Sequence, residues 1–273
     1  MINAVVIDLL AREMRHAALA AGLFVALVAP GKIDAQATGS ITGTVTTKAG
    51  GLRPVRVTID QRVCGNELAD ETIVVGDAGG LANAVVTLVG VKGAAHAAAA
   101  GVMNEKCRFS PRVQIVRPNA MITTSSADPI LHTTNAQVEG GRTLFNVAVP
   151  IPGIKINKPV TGTGLVRLSC NTHPWMRGWM VVTDDRAAIT GADGTFTLDA
   201  VPAGTYELRV WHETLKGTAQ KVTVVAGKPT TLSLAVSSGQ RASAALAPGA
   251  GAAVKMRPSS WRSRPRTTAA SRP

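Results

Sequence analysis

The chain has 273 residues, 45% hydrophobic and only 3% aromatic, which suits one large or two small domains with aliphatic cores. Its formal net charge of +12 is not a nucleic-acid signature. From Gln240 onward Arg241, Lys255, Arg257, Arg262, Arg264, Arg266 and Arg272 meet no acid, and 12 − 7 leaves +5 for all that precedes them.

In chain order, Arg12 and Arg15 stand before an apolar run at 17–29, and Ala35-Gln36-Ala37 fits the small-x-small rule for signal-peptidase cleavage. Residues 1–37 are therefore predicted to be a signal peptide, which places the mature chain in the periplasm or outside the cell. The run is short for a bilayer span, and no later stretch comes close to one. Residues 38–80 read as an N-terminal β segment. Residues 40–45 (Ser-Ile-Thr-Gly-Thr-Val) alternate like a strand, Ala49-Gly50-Gly51 turns the chain, and 55–59 returns it as a hairpin.

Residues 83–90 are a further predicted strand, and 93–101, which contains His96, a loop or short helix. Predicted strands then follow quickly at 112–116, 120–124, 143–149, 165–168 and 179–182, with turn residues spaced as in a Greek-key sandwich. After Asp184, Ala192-Asp193-Gly194 is a tight turn, and 201–206 turns into a strand. On that strand Tyr206, Leu208 and Val210 share one face, and Glu207, Arg209 and Trp211 the other. Strands at 221–225 and 231–234 complete a small layer over 186–236. The tail, 237–273, sets Ala, Pro, Ser and Gly between its charges and is expected to be a disordered basic segment. The expected fold class is all-β: a Greek-key sandwich over 81–185 with a second small Ig-like or prealbumin-like sandwich.

Three cysteines, Cys64, Cys107 and Cys170, fall in a chain expected to enter an oxidising compartment. Pairing Cys64 with Cys107 leaves Cys170 free; the alternative is three reduced, buried thiols. Cys170 has the neighbourhood of a metal ligand. Cys170-Asn171-Thr172-His173-Pro174-Trp175-Met176 offers a thiolate, an imidazole and a thioether within seven residues, between two predicted strands. Two His, one Cys and a weak Met form the donor set of a blue-copper electron-transfer centre. For the second imidazole, His16 is lost with the signal, His96 lies in an alanine-rich loop and His212 in the second unit, which leaves His132.

The C-x-x-H-x-x-M loop with Pro174 after the histidine, Phe109-Ser110-Pro111 ahead of a strand, and the approach from Asp128 to His132 together resemble the cupredoxins over about 81–184. The short loop is most similar to that of amicyanin. The resemblance implies a single copper ion with His132, Cys170 and His173 as equatorial ligands and Met176 as the axial one, His173 near the surface as electron exit, and a redox partner protein. Cupredoxins often brace their ligand loops with an asparagine beside the first histidine. Here Leu131 and Thr133 flank His132, and Asn135 is the candidate substitute.

Thr190–Phe196 together with 201–206 resembles the carboxypeptidase regulatory-like sandwich and the fibronectin-like domain of rhamnogalacturonan lyases, and 41–45 resembles the first strand of the same fold. The cupredoxin-like part is then either inserted into that sandwich or packed beside it. Such domains are usually non-catalytic, and the resemblance implies a protein or polysaccharide partner as an alternative function, with a copper carrier as another. No G-x-S-x-G, H-E-x-x-H, phosphate loop or paired-carboxylate signature points to an enzyme.

Overall fold

The structure, a computed structural model, describes residues 37–50, 52–93 and 100–239. The predicted signal peptide up to residue 36, His96 with its alanine-rich surroundings, and the tail from Gln240 lie outside the described residues. The strands are β1 (Thr38–Thr47), β2 (Val55–Arg56), β3 (Glu67–Leu68) and β4 (Val85–Lys92), with a short helix α1 (Gln61–Cys64) between β2 and β3. There follow β5 (Ala100–Glu105), β6 (Arg108–Ser110), β7 (Val113–Val116), β8 (Ala120–Ser126) and β9 (His132–Val138). Next come β10 (Thr143–Val149), β11 (Lys155–Val160), β12 (Gly164–Ser169) and β13 (Arg177–Val182). The last five are β14 (Asp185–Ile189), β15 (Thr195–Pro202), β16 (Gly204–Trp211), β17 (Thr218–Val224) and β18 (Pro229–Val236).

Strands from both ends of the described chain build one sandwich. Its first sheet runs β15-β1-β18 and its second β14-β4-β16-β17. Ile41 and Val45 of β1, Phe196 and Leu198 of β15 and Leu234 of β18 face Val86, Leu88, Leu208, Val210, Val222 and Val224 of the other sheet in a single core. The turn before β15 is tightly seated: Gly194 has φ +78, and a Cβ there would stand 2.4 Å from the carbonyl oxygen of Val45. The expected hairpin of 40–45 with 55–59 does not form. Both edges of β1 are taken, by β15 antiparallel and β18 parallel, so Val55–Arg56 pairs with Glu67–Leu68 instead.

Between β4 and β14 the chain leaves this sandwich and builds a second one. A five-stranded sheet, β10-β9-β12-β13-β7, faces a four-stranded sheet, β11-β8-β5-β6. Val102, Phe109, Ile122, Phe145, Val160, Val166, Leu168, Met180 and Val182 fill the space between them. Ala100 and Gly101, expected in a loop, already belong to β5. The outer face of the five-stranded sheet is covered as well. Val113, Ile115, Leu165, Trp179 and Val181 pack against Val85, Ala187 and Trp211 of the first sandwich. A strand buried on both sides reads as a continuous apolar run, which is why Trp179-Met180-Val181-Val182 does not alternate.

One ion pair closes this joint. Arg112 Nε and Nη2 donate to Glu213 at 2.6 and 3.0 Å, and Trp179 Nε1 donates to the same carboxylate at 3.1 Å. The Glu213 side chain is only 4% exposed. Burial and the Arg112 charge also push the His212 imidazole down to about 4, and its Nδ1 accepts the backbone N–H groups of Thr214 and Leu215. Trp211, His212 and Glu213 thus serve the joint rather than a ligand. Glu213→Ala leaves the Arg112 guanidinium only the longer, 3.9 Å contact with Glu71 at a buried boundary, and is expected to cost about 3 kcal/mol in urea unfolding. Replacing both partners by methionine should recover most of that loss; an unchanged midpoint for Glu213→Ala would count against the joint.

Candidate metal centre

β12 and β13 are antiparallel neighbours from Gly164↔Val182 to Ser169↔Arg177, so residues 170–176 form a closed loop between their ends. The Met176 N–H donates to the His173 carbonyl at 3.0 Å and folds the second half of the loop back on itself. β9 lies on the other side of β12, in register Ser169↔Asn135, which runs the start of β9 along the ligand loop and brings His132 near Cys170. His132, Cys170 and His173 each present one ligand atom, and those atoms all lie within 4.8 Å of one another. Met176 is buried in the same apolar cluster as Cys170. Both histidines are fully buried, at 0% exposure.

Each ring is held by a carboxylate on its far side. His132 Nε2 donates to Asp128 Oδ2 at 2.9 Å, and His173 Nε2 donates to Asp60 Oδ2 at 3.0 Å. A carboxylate there claims the proton on Nε2 and leaves a lone pair on Nδ1. His173 Nδ1 lies 3.6 Å from Cys170 Sγ. His132 Nδ1 is buried with no hydrogen-bond partner, a costly state for a polar atom unless it serves as a ligand.

Asp128 is itself immobilised. The backbone N–H groups of Lys106 and Cys107 donate to its two oxygens at 2.8 Å each. These two residues, with φ 51 and 57, form the turn between β5 and β6, a left-handed pair that Asn and Gly usually supply. Cys107 is joined to Cys64 by a disulfide, and Cys170 is the free, buried cysteine. Cys107, Asp128 and His132 also converge within 4.8 Å, but the Cys107 sulfur is committed to Cys64 and offers no thiolate.

Burial works to raise the Cys170 thiol, yet the backbone N–H groups of Thr133 and His173 and the Thr133 hydroxyl aim at the sulfur, favour its ionised form and hold it below the usual thiol value. Thr133 supplies the bracing expected of Asn135. Its N–H donates to Cys170 Sγ at 3.3 Å, and its hydroxyl accepts the Asn171 N–H at 2.7 Å, tying β9 to the ligand loop. Asn135 reaches only the Asn171 side chain, at 3.4 Å. A threonine suffices because one of the two bonds is made by the backbone, and a hydroxyl can make the other.

The expectation that His173 lies near the surface does not hold. The segment from β2 to β3 covers it: Asp60 meets its outer nitrogen, and the Trp175 ring lies 5.2 Å from its own. Trp175 Nε1 donates to the Cys107 carbonyl at 3.2 Å, which seats the indole beside the disulfide. Asp60 carried no motif in the sequence; its only signal is the disulfide four residues on, which ties this segment to the ligand region.

Two lone-pair nitrogens, a readily ionised thiol and a buried thioether side chain fit a soft or borderline metal ion. Because these donors hold Cys170 below the thiol's usual value of 9.0, the folded state holds fewer protons than the unfolded one just below pH 9. The metal-free protein should therefore gain stability as pH rises toward 9. Ultraviolet thiolate absorbance should titrate below pH 9 and vanish in Cys170→Ser; a midpoint at or above 9 would show that burial outweighs the donors.

Residues 180–237 match the carboxypeptidase regulatory-like domain. No curated protein matches the chain. Among solved structures the chain is similar to a purple cupredoxin from Nitrosopumilus maritimus, at 18% identity over 31% of this chain and 99% of that one, TM-score 0.28. It is also similar to amicyanin from Paracoccus versutus, at 16% identity over 36% and 97%, TM-score 0.28. A third is a copper-containing nitrite reductase from Thermus scotoductus, at 21% identity over 35% of this chain and 24% of that one, TM-score 0.27. The chain thus carries a segment that matches the carboxypeptidase regulatory-like domain, and the sandwich containing it draws β1 and β4 from before the metal-site segment.

Proposed function

We propose that this chain is an exported copper protein that binds one ion through His132 Nδ1, Cys170 Sγ and His173 Nδ1, with Met176 as a weak fourth ligand, and passes single electrons to a partner protein. The observation that carries this reading is the buried, unpartnered His132 Nδ1 beside a free cysteine, with a second imidazole presenting the same nitrogen. Copper held by thiolate and imidazole cycles between Cu(I) and Cu(II). The chain's own part is to hold the donors in place, so that little rearrangement accompanies a change of charge. Asp128 and Asp60 fix the ring tautomers, Thr133 holds the sulfur, and burial keeps water from the donors. The protein acts as a carrier rather than an enzyme.

Burial of His173 bears on the route of the electron, since direct exchange with a docked protein is easiest at an exposed ligand edge; copper delivery is the second reading, in which the site holds Cu(I) and is redox-slow. Adding Cu(II) to the purified mature protein should produce the intense visible thiolate-to-copper charge-transfer band, and Cys170→Ala should abolish it. A colourless protein that takes up no copper would overturn both readings. A site that retains Cu(I) but exchanges electrons slowly with small reagents would select the second.

A further inference from the structure

The segment from β2 to β3 is slight. It has a two-residue ladder on each side, one turn of helix, and a small cluster of Val57, Cys64 and Cys107 with Leu68, Ile130 and Trp175 around it. Yet it stands directly over His173, and its geometry is set toward that ring. Asp60 holds a left-handed backbone, φ 54, immediately before α1. An aspartate before a helix ordinarily has an extended backbone and turns its carboxylate onto the free N–H groups; the left-handed backbone of Asp60 departs from that arrangement. Here it makes no side-chain cap. The carboxylate is given to His173 Nε2 instead, while the Asp60 carbonyl accepts the N–H groups of Val63 and Cys64.

Four residues later the Cys64–Cys107 disulfide pins the segment to the turn whose N–H groups hold Asp128. The supports of both imidazoles are thereby joined through one covalent link. We infer that Asp60 is a positioning residue of the metal centre, and that the segment spanning β2, α1 and β3 is a built-in cover over it. The carboxylate fixes His173 in the tautomer with its lone pair on Nδ1. The cover shuts the His173 edge against water, chelators and docking proteins. Exchange with the outside then runs elsewhere or requires the cover to lift.

This inference rests on the copper reading, and its test separates the two. In the metal-free protein, nitrogen NMR of labelled histidines reports the His173 tautomer directly. The native protein and Asp60→Asn, which keeps an acceptor oxygen, should both show the proton on Nε2. Asp60→Ala should show a mixed tautomer with the fold intact by circular dichroism. In the copper-loaded protein, transfer of Cu(I) to bicinchoninate should be about 10- to 100-fold faster for Asp60→Ala, the usual effect of losing such a support, and close to native for Asp60→Asn. An unchanged tautomer in Asp60→Ala, or native release from it, would overturn the inference. A native protein that takes up no copper would overturn the functional reading alone, because the tautomer measurement still decides the role of Asp60.

Discussion

Two imidazoles buried beside one sulfur would, left to themselves, sample both tautomers and several ring planes. What prevents this is a carboxylate behind each ring. Asp128 and Asp60 take the Nε2 protons, so both Nδ1 atoms turn inward with their lone pairs free. The rest of the centre follows from that constraint. The β5–β6 turn tolerates two left-handed residues because Asp128 needs their N–H groups. The β2–β3 segment, pinned by the Cys64–Cys107 disulfide, brings Asp60 to His173.

A ligand loop is only as rigid as the strands that feed it, and β12 and β13 are held on every side. They pair with β9 and β7, pack inward on Val166, Leu168, Met180 and Val182, and pack outward on the first sandwich through Leu165, Trp179 and Val181. The Arg112–Glu213 pair clamps that outer contact. The metal-site sandwich standing alone would leave this sheet face to solvent. Here the first sandwich works as a backing plate.

Much of the arrangement was legible in the sequence, for physical reasons. The loop from Cys170 to Met176 announces itself because donors of three chemistries rarely fall so close by chance, and the strands on either side are strongly apolar. Strands buried on one face, such as β1 and β17, show in the alternation of their residues. β9 and β11 were hard to read because Thr, Asn and Lys dominate them. Inside β9, Thr134 satisfies its hydroxyl by pairing with Thr124 at 2.7 Å, a solution no one-dimensional pattern reveals. The hairpin expected after β1 failed because parallel pairing with β18, nearly two hundred residues away, outcompeted the local partner. Asp60 and Thr133 were illegible as site residues: one acts from a distant segment, and the other partly through its backbone.

The single disulfide bears on how the molecule is made. Three thiols can pair in three ways, and only the Cys64–Cys107 bond leaves a sulfur for the loop. In the finished fold Cys170 is buried behind Thr133 and the two rings, so an ionised sulfur that would otherwise attack its neighbours is kept away from them. Before folding nothing keeps it away. A wrong pairing through Cys170 would remove the loop's sulfur and release the segment that carries Asp60, so one mispaired bond undoes the ligand and its support together.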